Sequence, residues 1–260
     1  MNLFTKLLKT RTLFKITRNK KAIFLNLLFK LHLLGQRDII FKLANKMTII
    51  CRAGTSDMIE MTVVCGGLEY QARYFPKLQN AVILDIGANI GTFAVYSANV
   101  LAKFEPSIYS IEPSTENYQY LMKNIEINQL TSQIKTFKLA IGRDSEEAVL
   151  EETSNKDAFK LTYDTSFTGK GERVLVSSLA TFFSTQDIHH VDLMKIDIEG
   201  GEFDLFNLEL DFIKRNVSRV FVEVHNLDAK RNLESFTKVL VANKVQYQRF
   251  LGSNVLFILL

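Results

Sequence analysis

Residues 85–93 read Asp-Ile-Gly-Ala-Asn-Ile-Gly-Thr-Phe, and four mostly apolar residues, Ala81, Val82, Ile83 and Leu84, run straight into them. An apolar run cut off by an acid and then glycine predicts a buried parallel strand ending at its carboxyl edge. Beyond Gly91 the apolar residues Phe93, Val95, Tyr96, Val100 and Leu101 turn to helical spacing. A strand, a glycine turn and a helix make the nucleotide-binding corner of a doubly wound sheet. Gly87 and Gly91 let backbone approach a ligand where a Cβ would collide.

Downstream, the pattern alternates regularly. Strands are expected at 82–86, 107–112 and 134–140, with helices at 91–103 and 115–129, the second capped by Ser114. This βαβαβ run implies a parallel sheet with right-handed crossovers. Residues 142–171 are polar and break the rhythm; Ala148–Glu152 and Glu172–Ser177 suit an antiparallel insertion. Then come a helix near 178–185, a strand at 191–197, a helix at 201–210, a strand at 219–225 and a helix at 228–243. The runs 245–250 and 255–260, joined by Gly-Ser-Asn, must be antiparallel neighbours.

Upstream, residues 1–46 hold eleven lysines and arginines against one acid, Asp38, a net charge of +10. The other 214 residues are mildly acidic, which gives no footprint for nucleic acid. The chain therefore divides into a basic arm, 1–46, and a catalytic-sized domain, 47–260. Ile23, Leu27, Leu31 and Leu34 share a helical face, with Phe24 and Leu28 beside it. That helix either packs on the body or lies on an anionic membrane surface, lysines toward headgroups. No uncharged run is long enough to span a bilayer, and no cleavage site follows. The absence of serine before Ser56 and the excess of lysine over arginine disfavour a mitochondrial presequence. Residues 47–75 suggest two short strands, Met47–Cys51 and Met58–Val64, around the turn Arg52-Ala-Gly-Thr-Ser-Asp57. Two cysteines without CxxC spacing fit a reducing, cytoplasmic setting and no zinc site.

The glycine turn is not a dinucleotide fingerprint. Counting from Gly87, Asn89 and Thr92 occupy the second and third glycine positions. Asp85 would also repel phosphate, so the turn suits a phosphate-free nucleoside beside positive charge. Glu112 ends the next strand, where an acid accepts from ribose hydroxyls. Lys195-Ile-Asp197-Ile-Glu199-Gly-Gly-Glu202 closes the 191–197 strand, and Glu223-Val-His225 closes the one after it. Charged groups gathered at strand carboxyl ends are working groups more often than surface decoration.

Together, Asp85–Phe93, Ile111-Glu-Pro-Ser114, Lys195–Glu202 and Val220–His225 resemble the FkbM-type family of S-adenosylmethionine-dependent methyltransferases. Arg52–Asp57 is similar to that family's upstream Arg-x-Gly-Thr-Ser-Asp stretch. The resemblance spans roughly 47–260 and implies a Rossmann-like methyltransferase fold: a seven-stranded, mostly parallel sheet with an antiparallel last strand. It implies that Asp85, Gly87, Asn89 and Gly91 cradle the methionine part of S-adenosylmethionine, that Glu112 holds the ribose, and that Ala140 flanks the adenine. It also implies a hydroxyl acceptor on a sugar, glycolipid or natural-product-like molecule. Asp197 or His225 is then expected as the base, with Glu199 orienting the acceptor and Lys195 placing charge nearby. A magnesium-assisted version would use Asp197, Glu199 and Glu202. The acceptor pocket is expected from 47–75, the 142–171 insertion and the loop after His225. The rival expectation is a non-catalytic membrane-surface binding protein built on the same fold.

Overall fold

The computed structural model describes residues 3–30, 37–143, 147–152, 159–163, 169–250 and 252–260. The chain opens with α1 (Leu3–Ile16), α2 (Lys21–Lys30) and a hairpin of β1 (Asp38–Lys42) and β2 (Thr48–Arg52). The 46/47 division thus falls at the turn of this hairpin. Next is α3 (Asp57–Cys65), where a second strand was expected; Met61, Thr62, Val63, Val64 and Cys65 are all buried there. An apolar run this short does not distinguish a buried helix from a strand. The Arg52–Asp57 turn before it closes on itself: Asp57 accepts from the Arg52 backbone N–H (2.8 Å) and from its guanidinium (2.8 and 2.9 Å).

The alternation from residue 82 is as expected: β3 (Val82–Ile86), α4 (Thr92–Val100), β4 (Ser107–Ile111), α5 (Thr115–Ile127) and β5 (Ile134–Phe137). Ser114 caps α5, as anticipated. A small sheet follows, β6 (Ala140–Ile141), β7 (Glu147–Glu152), β8 (Phe159–Thr162) and β9 (Gly171–Ser177), in the order β6-β9-β7-β8. Its β7–β9 pairing is antiparallel, whereas β8 was not anticipated. Residues 144–146, 153–158 and 164–168 of the expected insertion, and the arm's Leu31 and Leu34, lie outside the described residues. The chain finishes with α6 (Leu179–Thr185), β10 (Leu193–Ile196), α7 (Gly201–Asn216), β11 (Arg219–Glu223), α8 (Leu233–Ala242), β12 (Gln246–Arg249) and β13 (Val255–Leu259).

The main sheet has seven strands in the order β12-β13-β11-β10-β3-β4-β5. Neighbours from β11 to β5 are parallel, and β13 runs antiparallel to both β11 and β12. This is the Rossmann-like α/β fold. One apolar core, with Ile83, Phe93 and Phe221, fills one face; another, with Leu84, Met194 and Val222, fills the other. In parallel strands buried on both faces, functional groups are confined to the carboxyl ends. The register places Lys195 directly beside Asp85.

Helix α2 packs differently from its expected orientation. Ala22, Ile23, Asn26 and Phe29 are buried, while Phe24, Leu27 and Leu28 face out. Asn26 explains the rotation: it donates to Met58 Sδ (3.3 Å) and accepts from Gly54 N (3.1 Å). A buried amide with partners outweighs apolar side chains left in water. The hairpin is anchored by another buried amide. Asn124 of α5 accepts from Ile50 N (2.7 Å) and donates to Ile90 O (2.8 Å), tying β2 to the glycine turn.

Candidate active site

The turn after β3 is shaped by close approach. Gly87 has φ +76°, and a Cβ there would lie 1.8 Å from the Asp197 carbonyl oxygen. Only glycine lets the turns after β3 and β10 touch. Gly91, φ +83°, meets Leu121 instead, so it serves the packing of α4 on α5. Between them, Asn89 has φ +48°, and across the site Glu199 has φ +50°. Left-handed conformations at non-glycine residues gather where surrounding structure imposes them, often at working sites.

Glu112 holds the turn in place. Its carboxylate accepts from Asn89 N (2.8 Å), Ser114 N (3.0 Å) and Asn117 Nδ2 (3.4 Å). Burial pushes its pKa up to about 7 against the pull of these donors. Gly87, Asn89, Glu112, Ala140, Asp197 and Glu199 all line one cavity, with Ile111, Leu139, Leu150 and Leu161 supplying apolar wall. Leu150 and Leu161 come from the inserted sheet. The insertion, expected to help build the acceptor pocket, thus contributes to the cavity beside Glu112, where the cofactor ribose was expected.

Asp85 lines neither this cavity nor its neighbour, although Ile86 and Gly87 directly after it line this one. It is fully buried, and neither carboxylate oxygen has a hydrogen-bond partner among the described residues. Burial raises its pKa to about 6, with nearby Lys195 opposing. Lys195 Nζ stands 3.5 Å from Asp85 and 3.5 Å from Asp197, and donates to Gly87 O. Burial alone would lower the Lys195 pKa, but Asp197, Asp85, Glu60 and Glu223 outweigh it and keep the ammonium charged.

His225 sits among three carboxylates: Glu202 (3.3 Å from Nδ1), Glu199 (3.5 Å from Nε2) and Asp197 (3.7 Å from Nε2). Burial acts to lower its pKa, but Glu202, Asp197 and Glu199 carry it to about 10. Glu202, expected as a metal ligand, is wholly buried and already engaged with His225 N (2.7 Å) and Gly200 N (2.8 Å). Ligand atoms of Asp197, Glu199 and His225 do lie within 4.8 Å of one another.

A second cavity adjoins the first. Asp197 and Lys195 line it together with Glu60, Glu69, Tyr70, Glu223 and Lys9. Burial pushes Glu60 well above the usual carboxylate range and takes Glu223 to about 8, with Asp197 and Glu69 adding to the latter. Asn89 connects the cavities, since its side chain donates to Glu60 (2.6 Å). Glu60 escaped sequence reasoning because 58–64 read as a strand, and Glu69, in the loop beyond it, belonged to no motif. Glu223 had a signal, as it ends β11 two residues before His225. Among the described residues, neither His225 nor any residue after it lines either cavity; Leu227 instead packs over Gly200.

A model of the methyltransferase FkbM domain matches residues 85–247. The chain belongs to the FkbM methyltransferase family. It is 24% identical over 155 residues to methyltransferase sdnD of Sordaria araneosa, covering 48% of this chain and 59% of that protein. The crystal structure of methyltransferase FkbM from Methylobacillus flagellatus KT aligns with a TM-score of 0.50 at 16% identity, over 74% of this chain and 47% of that one. That second likeness is one of fold. The FkbM-family chain thus spans roughly half to three-fifths of the length of these two proteins.

Proposed function

We propose that this FkbM-family protein transfers a methyl group from S-adenosylmethionine to a hydroxyl oxygen of a sugar, glycolipid or natural-product-like molecule. The observation that carries the reading is Asp197, which lines both cavities. The first suits the cofactor. The Asp85 carboxylate, buried two residues before Gly87 with only the Lys195 ammonium beside it, and the buried Asn89 Oδ1, which has no hydrogen-bond partner among the described residues, favour a cationic, donor-rich ligand without phosphate. Gly87 and Asn89 would face the methionine part, Glu112 the ribose, and Ala140, Leu150 and Leu161 the adenine. When bound, the cofactor supplies an electrophilic sulfonium methyl. The protein supplies alignment and a proton acceptor. Asp197 fills that role. His225, an imidazolium at neutral pH, orients the Asp197 and Glu199 carboxylates. Glu60, Glu69 and Glu223 offer the second cavity's occupant acceptors for its hydroxyl groups.

A non-catalytic membrane-binding role is disfavoured by family membership and by the full set of groups around Gly87. The test is calorimetry with S-adenosylmethionine, followed by a labelled-methyl screen against hydroxylated sugars, glycolipids and small metabolites. Absence of cofactor binding sinks the first half. Transfer to amines but never to hydroxyls sinks the second.

The Asp197–Glu199–His225 grouping favours one variant, a divalent cation that activates the hydroxyl. It would have to displace the His225 proton, so its affinity would rise with pH. Activity unchanged by EDTA at alkaline pH removes this variant.

A further inference from the structure

The two N-terminal helices face outward with side chains that a protein in water alone has no use for. On α1, Leu7, Leu8 and Phe14 are exposed; on α2, Phe24, Leu25, Leu27 and Leu28 are exposed. Among the described residues, these make up seven of the seventeen exposed large apolar side chains, in little more than a tenth of the chain. Leu7, Arg11 and Phe14 follow one stripe of α1. The rings of Phe14 and Phe24 meet edge-on at 6.3 Å, joining the two helices into one patch. Exposed lysines and arginines surround it: Lys6, Arg11, Lys15, Arg18, Lys20 and Lys21. Residues 1–37 contain no acid at all. Among the described residues, no helix is long and apolar enough to cross a membrane.

We propose that this face of α1 and α2 docks the protein onto an anionic lipid bilayer, the apolar side chains entering the interface and the lysines and arginines meeting lipid phosphates. Charge decides the occupant. Asp38 of β1 lies beside Leu25 and Lys21 at one edge, but the two helices themselves carry only positive charge, and an apolar patch so dominated by one sign repels a second copy of itself and complements an anionic interface. The inner side of α1 also serves the site, because Lys9 lines the second cavity. Docking would bring that cavity to about one helix diameter, ~10 Å, from lipid. The proposal is independent of the methyl acceptor, and its test involves no turnover.

The protein has no tryptophan, so introduced ones report alone. Leu7→Trp and Leu27→Trp would be made in the full chain, with Leu208→Trp on α7, an equally exposed position, as the control. Each is mixed with phosphatidylcholine vesicles, with or without phosphatidylglycerol. The expected result is a blue shift and quenching by brominated lipid at the two N-terminal positions, only with phosphatidylglycerol, and none at Leu208→Trp. Replacing Arg11, Lys15 and Arg18 together by alanine should weaken vesicle binding roughly a hundredfold, at about fivefold per basic residue. Equal shifts at all three positions, no shift at any, or a shift that grows with protein concentration without vesicles would each overturn the proposal. The last would mark the patch as a contact between copies.

Discussion

The two cavities that meet at Asp197 are walled by different material. The polar wall of the first is built from turns that directly follow parallel strands, Gly87 and Asn89 after β3, Glu112 after β4, Asp197 and Glu199 after β10, with Leu150 and Leu161 of the inserted sheet closing its apolar side. The second combines strand-end groups with Lys9 from α1, Glu60 from α3, and Glu69 and Tyr70 from the loop beyond. Backbone contacts fix the first; a Cβ on Gly87 would collide with main chain. The second is held by side chains on short helices, which can be exchanged without disturbing the sheet. A cavity made of strand ends keeps its ligand, and a cavity made of helix side chains can change its own.

The sharpest way to break this division is Asp197→Asn, because Asp197 alone among the described carboxylates lines both cavities. Loss of the proton acceptor should lower kcat by about 10²–10⁴-fold. Cofactor affinity, measured by calorimetry, should stay nearly intact. A fall in affinity as large as the fall in turnover would assign Asp197 to the cofactor side only.

Glu112→Gln acts on the first cavity alone. Three donors point at the carboxylate, and the amide nitrogen would confront at least one of them. A donor left unsatisfied costs about 1–3 kcal/mol, so cofactor affinity should weaken roughly 5–150-fold. Turnover at saturating cofactor should survive. Loss of kcat with unchanged affinity would mean that the turn matters to the acceptor instead.

The unequal walls also explain what could be read in advance. The strand Ala81–Leu84, the glycine turn, Glu112 and the Lys195–Glu202 run are contiguous signals, and each was legible. Helix α3 was not, since an apolar stretch this short carries no decisive period. Glu60 was lost with it. The orientation of α2 depends on the partners of Asn26, more than 25 residues away in sequence. Glu202 shows the same limit within a motif. Its place at the start of a helix was clear, but its role as the partner of His225 N and Gly200 N needed three dimensions.

A smaller effect should appear in the pH dependence. Burial raises Asp85 to about 6 and Glu112 to about 7, from ordinary values of 3.8 and 4.5. The folded protein therefore holds protons that the unfolded chain releases. The stability linked to these groups is full below about pH 4 and is lost as pH rises through 6 and 7. The melting temperature of the free protein should decline across that window. A cationic ligand favours the ionised carboxylates, so cofactor binding near pH 6 should release protons, and the release should diminish by about pH 8. Calorimetry in buffers of different ionisation enthalpy measures this directly. Proton uptake in place of release would place the ligand's positive charge elsewhere.

The mildest test concerns Lys9, through which α1 lines the second cavity. Burial raises the Glu69 pKa, and Lys9 is the first influence opposing it. Lys9→Met removes that opposition while keeping the length of the side chain, so Glu69 should hold its proton to higher pH. Partly exposed pairs of this kind are worth about 0–1 kcal/mol, which converts to at most about fivefold in acceptor KM. The change should grow between neutral and mildly acidic pH, with kcat and cofactor affinity unmoved. An effect on cofactor affinity would show that the cavities are coupled through Asn89 and Glu60, making the division between them one of position and not of function.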